Sequence, residues 1–410
     1  MGEMLGAEFE VDVTNIAHGG ISVARHEGRV VFVADAIPGE RVLVRVTDDA
    51  KKSFWRAETV SVVSPSEHRQ PHVWAEASVD RAPERRAGGA EFGHIAPGHQ
   101  RELKRQVLAD ALQRMAGVDS DVRVEAIDGE PDGTGWRTRL RLHVAKDGTL
   151  GPFAARSHTV IPVDSVPLAS PEVARLTPLD ERFNGATHVD IVAPSGSNAF
   201  VLAGDSTSKG RPKPHRVTEL VGEREFAVDV RGFWQVHHGA AQTLTSAVQD
   251  AIDGDLFDPR ASNHDLYGGV GLLAAAVADR FGPTTRITTV ESDALATDHA
   301  ASNLVEWLGS QAVTSRVDRY LQGLRGSATS WRGATVVLDP PRSGAGKEVV
   351  DHLVGLEPAQ IVYVACDPVA LARDVALLRE RGWELSRLRA FDLFPNTHHV
   401  EAVATLVPAG

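Results

Sequence analysis

The stretch NHDLYGGVGLLAAAVA, residues 263–278, decides the fold of this chain. Its first four residues predict a buried strand, and the apolar residues 272–278 predict a helix. The turn between them contains Gly268, Gly269 and Gly271, which let the backbone approach a ligand closely in front of the helix N-terminus. This order of strand, glycine-rich turn and helix is typical of a cofactor-binding α/β domain.

Strand–helix alternation continues from about residue 228 to the C-terminus. It predicts a parallel sheet with helices on both faces and a closing antiparallel pair of strands. The predicted strands are residues 263–266, 286–290, 312–317, 335–338, 361–364, 385–390 and 400–407.

The second of these strands is followed by Glu291, about twenty residues after the glycine turn. An acidic residue at this position can accept hydrogen bonds from ribose hydroxyls. The strand, the turn and the carboxylate suit either a dinucleotide or an adenosine cofactor, and their spacing does not choose between the two.

The N-terminal part of the chain is predicted to be all-β. Short alternating strands broken by turns such as Pro38-Gly39 predict a small closed barrel, the shape of OB-like nucleic-acid-binding modules, although purely structural barrels share it. A polar stretch after Pro65 is the predicted linker, and a central α+β region precedes the catalytic part. The predicted domains are residues 1–65, 66–228 and 229–410.

Two basic segments of the central region are candidates for phosphate contact. Arg137, Arg139 and Arg141 fall on one face of a predicted strand at 136–144, where an ordinary solvated face is an equal alternative. The loop 205–216 is rich in Lys, Arg, Gly and Pro, which predicts an irregular basic loop and a candidate RNA clamp.

The composition excludes several classes of protein. A formal net charge of −12 over 410 residues argues against a general polyanion binder, but leaves local basic patches open. No apolar stretch has the length of a membrane span, and the N-terminus lacks a signal region. The single cysteine, Cys366, excludes an internal disulfide, a Cys-based zinc site and a protein-ligated iron–sulfur cluster. We therefore expect a cytoplasmic protein with no metal site.

Cys366 lies at the end of the predicted strand 361–364, and Asp367-Pro368 then form a turn. The C-terminal edge of a parallel sheet is where doubly wound enzymes place reactive groups. Taken alone, a lone cysteine is more often a small buried apolar residue. The motifs that accompany it favour the reactive alternative.

Two of these motifs carry charged residues at strand ends. Asp339-Pro340-Pro341-Arg342 follows the fourth predicted strand, and its two prolines would hold the charged residues in a rigid turn. Glu401 begins the apolar last strand, where desolvation would raise its pKa and suit a general base. In isolation, a structural turn and an ordinary strand-end glutamate explain the same residues.

A third motif, Phe233-Trp234-Gln235, opens the catalytic region and places two aromatic rings beside an amide. The rings could stack on a base or on adenine, although packing in the core explains aromatic residues taken alone.

Together these segments resemble the RNA 5-methyluridine methyltransferases, an S-adenosylmethionine-dependent family that methylates C5 of uridine in tRNA and rRNA. The resemblance extends over nearly the whole chain and is closest at residues 339–342, 366–368 and 398–401. It implies a Rossmann-like class I methyltransferase domain with a mostly parallel seven-stranded sheet, an N-terminal OB-like TRAM barrel that binds RNA, and a central α+β domain.

The resemblance also implies roles for individual residues. Cys366 matches the nucleophile and Glu401 the base, and we expect Asp339 and Arg342 to hold the uracil or its neighbours. In this chemistry a thiolate adds to C6 of uracil, the resulting C5 enolate attacks the sulfonium methyl group, the base removes the C5 proton and the thiol is expelled. Cys366 therefore requires a lowered thiol pKa. The implied contacts to S-adenosylmethionine are Gln235, Tyr267, Glu291, Asp318 and Asp339.

The chain departs from the family pattern at several positions. Where cluster-bearing members carry Cys-Gly-Gly-Cys, it has Ala87-Gly88-Gly89-Ala90, and Arg81 and Val166 stand near the other two cysteine positions. We therefore expect no iron–sulfur cluster. Residues that differ from common family members near the cofactor and the nucleophile are Gly268, Leu272, His237 and Asp367.

Two alternatives stay open. An RNA cytosine-C5 methyltransferase would also use a cysteine, but its common form employs two. A catalytically silent RNA-binding or folding protein would not need the intact Cys366 and Glu401. A TRAM barrel favours rRNA over tRNA as the substrate, by analogy with the family. We expect a monomer that binds RNA and no membrane.

Overall fold

The computed structural model describes residues 4–155, 157–205, 213–324 and 331–410. The strands of this part of the chain form a closed five-stranded barrel, a four-stranded sheet, a two-stranded hairpin and an eight-stranded sheet. The predicted α/β class with an N-terminal barrel is therefore confirmed. Residues 206–212, the centre of the predicted basic loop, lie outside the described residues.

The barrel is built from five strands in the order β1-β2-β3-β5-β4. Alternate residues of each strand point inward, so that small and branched apolar side chains such as Val31, Val33 and Val44 fill a core with no exposed surface. The strands are β1 Glu8–Ala17, β2 Ile21–His26, β3 Arg29–Ala34, β4 Arg41–Asp48 and β5 Phe54–Ser64.

The central region contains short strands and few helices. Helix α1, Pro97–Ala111, starts with proline at its first position and continues into a π-helical turn that ends at Gly117, which has φ +61°. The remaining elements are β6 Val124–Ala126, β7 Arg139–Val144, β8 Leu150–Gly151, α2 Pro171–Leu176, β9 Ala186–Val192, β10 Phe200–Asp205, β11 Arg216–Val221 and β12 Arg224–Asp229.

Two of the three arginines predicted on one face of a strand have carboxylate partners. Arg139 Nη2 lies 2.8 Å from Glu219 Oε1, and Arg141 Nε lies 2.6 Å from Asp190 Oδ1. The strand is also shorter than predicted, because it begins at Arg139. The positive charges of these arginines are thus largely neutralised by ion pairs within the central region. This argues against a phosphate-binding site on this strand.

The catalytic region alternates strands and helices to the C-terminus. Its elements are α3 Ala240–Ala251, β13 Asn263–Leu266, α4 Leu272–Phe281, β14 Ile287–Glu291, α5 Ala294–Asn303, β15 Ser310–Thr314, α6 Val317–Gly323, β16 Thr335–Leu338, α7 Gly346–Gly355, β17 Gln360–Ala365, α8 Pro368–Arg379, β18 Trp383–Asp392 and β19 Glu401–Pro408.

The large sheet has the order β15-β14-β13-β16-β17-β19-β18-β6, with parallel pairing from β15 to β17 and antiparallel pairing of β19 with both neighbours. Helices cover both faces, so the central strand β17 is buried along its whole length. Ile361 and Tyr363 pack into the apolar core on one face, and Val362 and Val364 into the core on the other.

The eighth strand, β6, was absent from the sequence-based prediction. Its three residues belong to the central region and pair in parallel with Ala390–Asp392 of β18, which extends the large sheet by one strand. Three residues carry too little periodicity to be recognised as a strand. Among the described residues, no helix is both long and apolar enough to cross a membrane.

Candidate active site

The ends of five neighbouring strands bring the main candidate residues to one edge of the large sheet. In spatial order along that edge, the residues that end or follow the strands are Glu291, Tyr267, Asp339 and Cys366, and Glu401 begins the adjacent antiparallel strand. Neighbouring strands lie about 4.8 Å apart, so the whole row spans roughly 20 Å. Residues separated by up to 134 positions in the sequence thus form a single row, since Tyr267 and Glu401 share it.

The glycine turn at one end of the row is tightly packed. A Cβ added to Gly268 would lie 2.0 Å from Thr289 Oγ1 and 2.5 Å from Asp265 Oδ2. Tyr267 has φ +65° and Gly271 has φ +86°, so the backbone doubles back before α4 begins. Because Thr289 occupies the space beside residue 268, glycine is required at this position.

Asp265 lies beneath the turn and is fully buried. Its Oδ2 accepts hydrogen bonds from Ala274 N and Thr289 Oγ1, whereas its Oδ1 has no hydrogen-bond partner in the described part of the chain. Burial raises the pKa of Asp265 to about 7, and the charge of Glu291 adds to the effect. An unsatisfied buried carboxyl oxygen is an acceptor for a ligand that enters the turn.

Glu291 and Asp318 lie near the same turn. Glu291 Oε2 accepts a hydrogen bond from Gly269 N at 3.2 Å, and its Oε1 accepts one from Asp293 N at 2.8 Å. Asp318 is in the first turn of α6 and pairs with Arg316 at 2.8 Å. Burial raises the pKa of Tyr267 to about 12, with a further contribution from the charge of Asp318, so the phenol and this carboxylate are neighbours.

Cys366 is partly buried directly after β17. Burial raises the pKa of its thiol to about 12, and the charges of Glu401 and Asp339 add to the rise, while Arg342 opposes it. The predicted lowering of the thiol pKa is therefore wrong, because the thiol is largely buried and nearby carboxyl charges add to the effect of burial. Cys366 follows β17 and Glu401 begins the strand paired with it, since Ala365 lies opposite Ala402.

Asp339 and Glu401 form the acidic part of this cluster. Burial and the charge of Asp265 raise the pKa of Asp339 to about 7, and burial and the charge of Asp339 raise the pKa of Glu401 well above its ordinary value. The predicted rise in the Glu401 pKa is thus confirmed. Neither carboxyl has a side-chain hydrogen bond to another described residue, so both are available to a ligand.

Arg342 is exposed at the rim of the row, as its proline-rich turn predicts. Its Nη2 lies 3.3 Å from His399 Nε2. Burial lowers the pKa of His399 to about 3, and the charges of His398 and Arg342 lower it further, so the imidazole is neutral at physiological pH. His399 was not predicted as a site residue, because its contact with Arg342 spans 57 positions of the sequence.

Gln235 lies in an irregular segment before α3. This segment is attached to the start of β7, because Val236 O accepts hydrogen bonds from Thr138 N and Thr138 Oγ1. Of the two aromatic neighbours, Trp234 is buried, as core packing predicts, but Phe233 is 74% exposed. No hydrogen bond joins the Gln235 side chain to the strand-end row within the described residues.

Buried polar contacts hold the segment that leads to Glu401. Lys104 Nζ lies 2.5 Å from Asp392 Oδ1 and donates to Phe394 O, and Gln100 Nε2 donates to Asn396 Oδ1 at 2.8 Å. Asn396 adopts φ +63° and has no exposed surface. Helix α1 of the central region thus holds in place the segment that leads to Glu401.

Three of the four positions that correspond to cluster cysteines are packed apolar residues, and the fourth is the partly buried Arg81. Ala87, Ala90 and Val166 lie in one buried apolar cluster with Trp74 and Trp136. The adjacent guanidinium of Arg86 donates to Asp35 Oδ2 and to three backbone carbonyls, which joins this loop to the barrel. In the described residues, no group of three or more His, Cys, Asp or Glu could hold a metal ion.

The strand order and the glycine turn after its first parallel strand define the class of this protein. It is a class I S-adenosylmethionine-dependent methyltransferase with an N-terminal TRAM barrel. The family model of tRNA (uracil-5-)-methyltransferases matches residues 303–407, and the TRAM domain model matches residues 2–58.

Curated relatives cover the whole chain. An uncharacterised RNA methyltransferase of Streptomyces avermitilis is 39% identical, with 99% of each chain covered. The 23S rRNA (uracil(1939)-C(5))-methyltransferase RlmD of a Shewanella species is 28% identical over 98% of this chain and 96% of its own length. The chain belongs to the family of RNA methyltransferases that includes the Streptomyces avermitilis relative.

A solved structure has the same overall fold. The Pyrococcus abyssi tRNA (uracil-54, C5)-methyltransferase, in complex with S-adenosyl-L-homocysteine, superimposes with a TM-score of 0.70 at 20% identity. The match covers 99% of this chain and all of that chain. The arrangement of barrel, central region and catalytic sheet is therefore a shared fold.

The raised carboxyl pKa values predict an unusual dependence of stability on pH. A carboxyl whose pKa is raised by folding binds more protons in the folded state, so stability falls as pH rises from its ordinary pKa through the raised one. Histidines whose pKa is lowered by folding have the opposite effect: stability rises with pH until it reaches their ordinary pKa of about 6.5. From pH 6.5 to 8 His18, whose pKa is raised by folding, lowers stability in the same direction as the carboxyls, and it does so equally in wild type and in a carboxyl variant.

We expect the stability of Asp339→Asn relative to wild type to be roughly 2–3 kcal/mol greater at pH 8 than at pH 5. The unfolded wild-type carboxyl is ionised at both pH values, whereas the folded one stays protonated up to about pH 7, so wild type loses stability over this range and the variant does not. Thermal unfolding at both pH values measures this. Asp351→Asn, at a partly exposed carboxyl whose pKa Lys347 lowers, is the control; that carboxyl is ionised at pH 5 and at pH 8, so the variant should lose the same small amount of stability at both. An equal effect of Asp339→Asn at both pH values would contradict the assignment.

Proposed function

We propose that this protein transfers a methyl group from S-adenosylmethionine to C5 of a uridine in RNA, with rRNA favoured over tRNA. One observation carries the proposal: the order of Glu291, Tyr267, Asp339, Cys366 and Glu401 along a single sheet edge. Groups suited to an adenosyl ligand occupy one end of this row, and a thiol beside a carboxyl occupies the other. The methyl donor and the pyrimidine would meet between them, next to Asp339.

The residues of the row fit this cofactor. Glu291 and Tyr267 would hold the adenosine, with Asp318 and Gln235 at its margins, and Asp339 would face the charged centre. Bound S-adenosylmethionine supplies a methyl group on a positively charged sulfur. The raised pKa values of Asp265, Asp339 and Glu401, caused by burial and in each case increased by a neighbouring carboxylate, support the assignment, because a bound cation would lower the cost of ionising them.

Cys366 would attack C6 of the uracil as a thiolate, after its thiol proton has passed to solvent. The new S–C6 bond places negative charge on C5 and O4, which makes C5 nucleophilic enough to take the methyl group. Glu401 then removes the proton from C5, the C5–C6 double bond re-forms and the S–C6 bond breaks. The sulfur leaves as a thiolate that takes up a proton, and Glu401 gives up the proton it took from C5, so the protein is regenerated.

The charges of Cys366 and Glu401 determine when these steps can occur. Glu401 adds to the rise in the Cys366 pKa, so two negative charges in this space are disfavoured. A cationic ligand beside Asp339 would lower the free energy needed to ionise either Cys366 or Glu401. Thiolate formation would then depend on a filled cofactor site.

Arg342 is the second substrate-contact candidate, with Asp339. Its guanidinium is exposed at the rim and touches the neutral His399, which leaves its positive charge uncompensated by that contact. It is therefore suited to a phosphate or to a uracil carbonyl at the entrance of the row.

The outer face of the barrel supports RNA as the substrate. Phe32 and Phe54 meet edge to face at 5.2 Å, and the guanidinium of Arg56 lies 5.9 Å and 5.6 Å from the two rings. The exposed Lys51 and Lys52 precede Phe54. Partly exposed aromatic rings with adjacent cations are the usual platform for unpaired bases.

The chain would work without an iron–sulfur cluster. The support for this is the apolar packing of Ala87, Ala90 and Val166 at the corresponding positions. We also expect a monomer that acts in the cytoplasm, as the sequence predicts.

Methyl transfer to RNA from cells that lack the gene tests the proposal. Label from the methyl group of S-adenosylmethionine should appear in 5-methyluridine, and fractionation should place it in rRNA. Label in 5-methylcytidine would support the cytosine alternative, and no label at all would support a silent RNA-binding protein. Label in tRNA alone would overturn the choice of rRNA.

Cys366→Ala should reduce methyl transfer by at least about a thousandfold, because no other thiol exists in the chain. Binding of S-adenosylmethionine, measured by calorimetry, should change less than about threefold, since Cys366 lies beyond Asp339 in the row. Substantial turnover by this variant would remove the nucleophile assignment.

Glu401→Gln should let a covalent protein–RNA complex accumulate on unmodified RNA. The amide cannot accept the C5 proton, so addition and methylation proceed while release stops. A denaturing gel detects the complex. Glu384→Gln, at an exposed position of β18, is the control and should release product normally. Normal turnover by Glu401→Gln would refute its role as the base.

Arg56→Ala combined with Phe54→Ala should weaken RNA binding by about tenfold or more, and binding should depend less steeply on salt. Cofactor binding should be unchanged. Arg332→Ala removes a positive charge just before β16, at the opposite edge of the large sheet, and should leave RNA affinity unaltered. Equal RNA affinities for the barrel variant and wild type would exclude this face as an RNA contact.

A further inference from the structure

The turn between β1 and β2 of the barrel touches the catalytic region. His18 Nε2 lies 2.8 Å from Asp367 Oδ2, a contact between residues 349 positions apart. Asp367 directly follows the candidate nucleophile. A residue of the barrel therefore reaches the segment that carries Cys366.

Asp367 fixes the path of the chain from β17 into α8. Its Oδ1 caps the helix by accepting hydrogen bonds from Val369 N at 3.0 Å and Ala370 N at 2.8 Å. Its Oδ2 is left for His18. The two oxygens are held from different sides, so the carboxylate cannot rotate without losing one set of contacts.

The same turn also contacts the segment that precedes Glu401. Gly20 has φ +69°, and a Cβ added to it would lie 2.5 Å from His398 Cβ and 2.9 Å from Phe92 Cε1. His398 Nδ1 in turn lies 3.6 Å from Glu91 Oε2. The barrel turn is thus packed against the segments that carry both candidate catalytic groups.

The contact between His18 and Asp367 favours the charged forms of both groups. The hydrogen bond with Asp367 raises the pKa of His18 more than burial lowers it. Burial works to raise the pKa of Asp367, but His18 and the helix N–H groups lower it below its ordinary value. The His18 side chain is 48% exposed, so the pair contributes little to overall stability and serves mainly as a local restraint.

We propose that His18 is a positioning residue for the nucleophile, and that the barrel turn 18–20 completes the catalytic site. By holding Asp367 Oδ2, His18 would fix the orientation of the backbone that presents the Cys366 sulfur to the pyrimidine. The barrel would therefore act in the chemical step as well as in RNA binding. This inference rests on the proposed function, because it assumes that Cys366 attacks a base.

Single-turnover trapping tests the proposal. The probe is the transcript that accepts label in the methyl-transfer assay, prepared with 5-fluorouridine so that the covalent complex cannot release. At saturating RNA and cofactor, His18→Ala should form the complex about tenfold or more slowly than wild type, because small misplacement of a reacting group is costly. RNA and cofactor dissociation constants should stay within about twofold.

Two further variants separate positioning from other roles. His18→Gln retains an N–H donor for Asp367 and should restore most of the trapping rate. His26→Ala, in the same barrel and stacked on Phe9, is the matched control and should trap at the wild-type rate. Circular dichroism and thermal unfolding verify that each variant is folded.

Wild-type trapping by His18→Ala at saturating RNA would overturn the inference. So would a defect confined to RNA affinity, which would make His18 an RNA contact, or a failure of His18→Gln to restore the rate. If no transcript accepts label from the wild-type protein, the proposed function fails instead, so the two failures are distinguishable.

Discussion

The burial of ionisable groups where β13, β16 and β17 end and β19 begins is the constraint on which the site depends. Parallel strands end at the same edge, so the side chains that follow them are forced together. Here burial raises the pKa of Asp265, Asp339, Glu401 and Cys366, and the charges of neighbouring carboxylates raise each pKa further. Such a cluster is stable when its members are protonated or when a cation joins them. The positively charged cofactor that we propose would therefore stabilise the ionised form of this cluster.

The segments around the cluster are fixed by contacts from distant parts of the chain. Lys104 and Gln100 of α1 hold the approach to Glu401, and Arg86 joins the loop before α1 to the barrel. A buried charge such as Lys104 is retained only with a partner, and Asp392 supplies it. The central region and the barrel are therefore structural supports of the catalytic edge, since they determine where its loops lie.

Much of the fold and part of the site could be predicted from the sequence. The strands Asn263–Leu266 and Thr335–Leu338 were predicted with the bounds that the structure shows, because each is a short buried run before a turn. The raised Glu401 pKa followed from its apolar strand. The Cys366 pKa was predicted with the wrong sign, because the burial of the thiol and the carboxylates near it depend on how other strands pack around it. His18, His399 and Asn396 could not be found, since their roles depend on contacts across 57 to 349 positions. The row of strand ends itself follows from the strand order, which local patterns do not encode.

The central claim is that the sulfur of Cys366 forms a bond to the target pyrimidine. Mass spectrometry of the protein after incubation with S-adenosylmethionine and 5-fluorouridine RNA, followed by nuclease and protease digestion, tests this most directly. The account predicts a peptide containing Cys366 that carries one methylated fluorouridine nucleotide. Methylated RNA with every Cys366 peptide unmodified, or an adduct on any other residue, would contradict it.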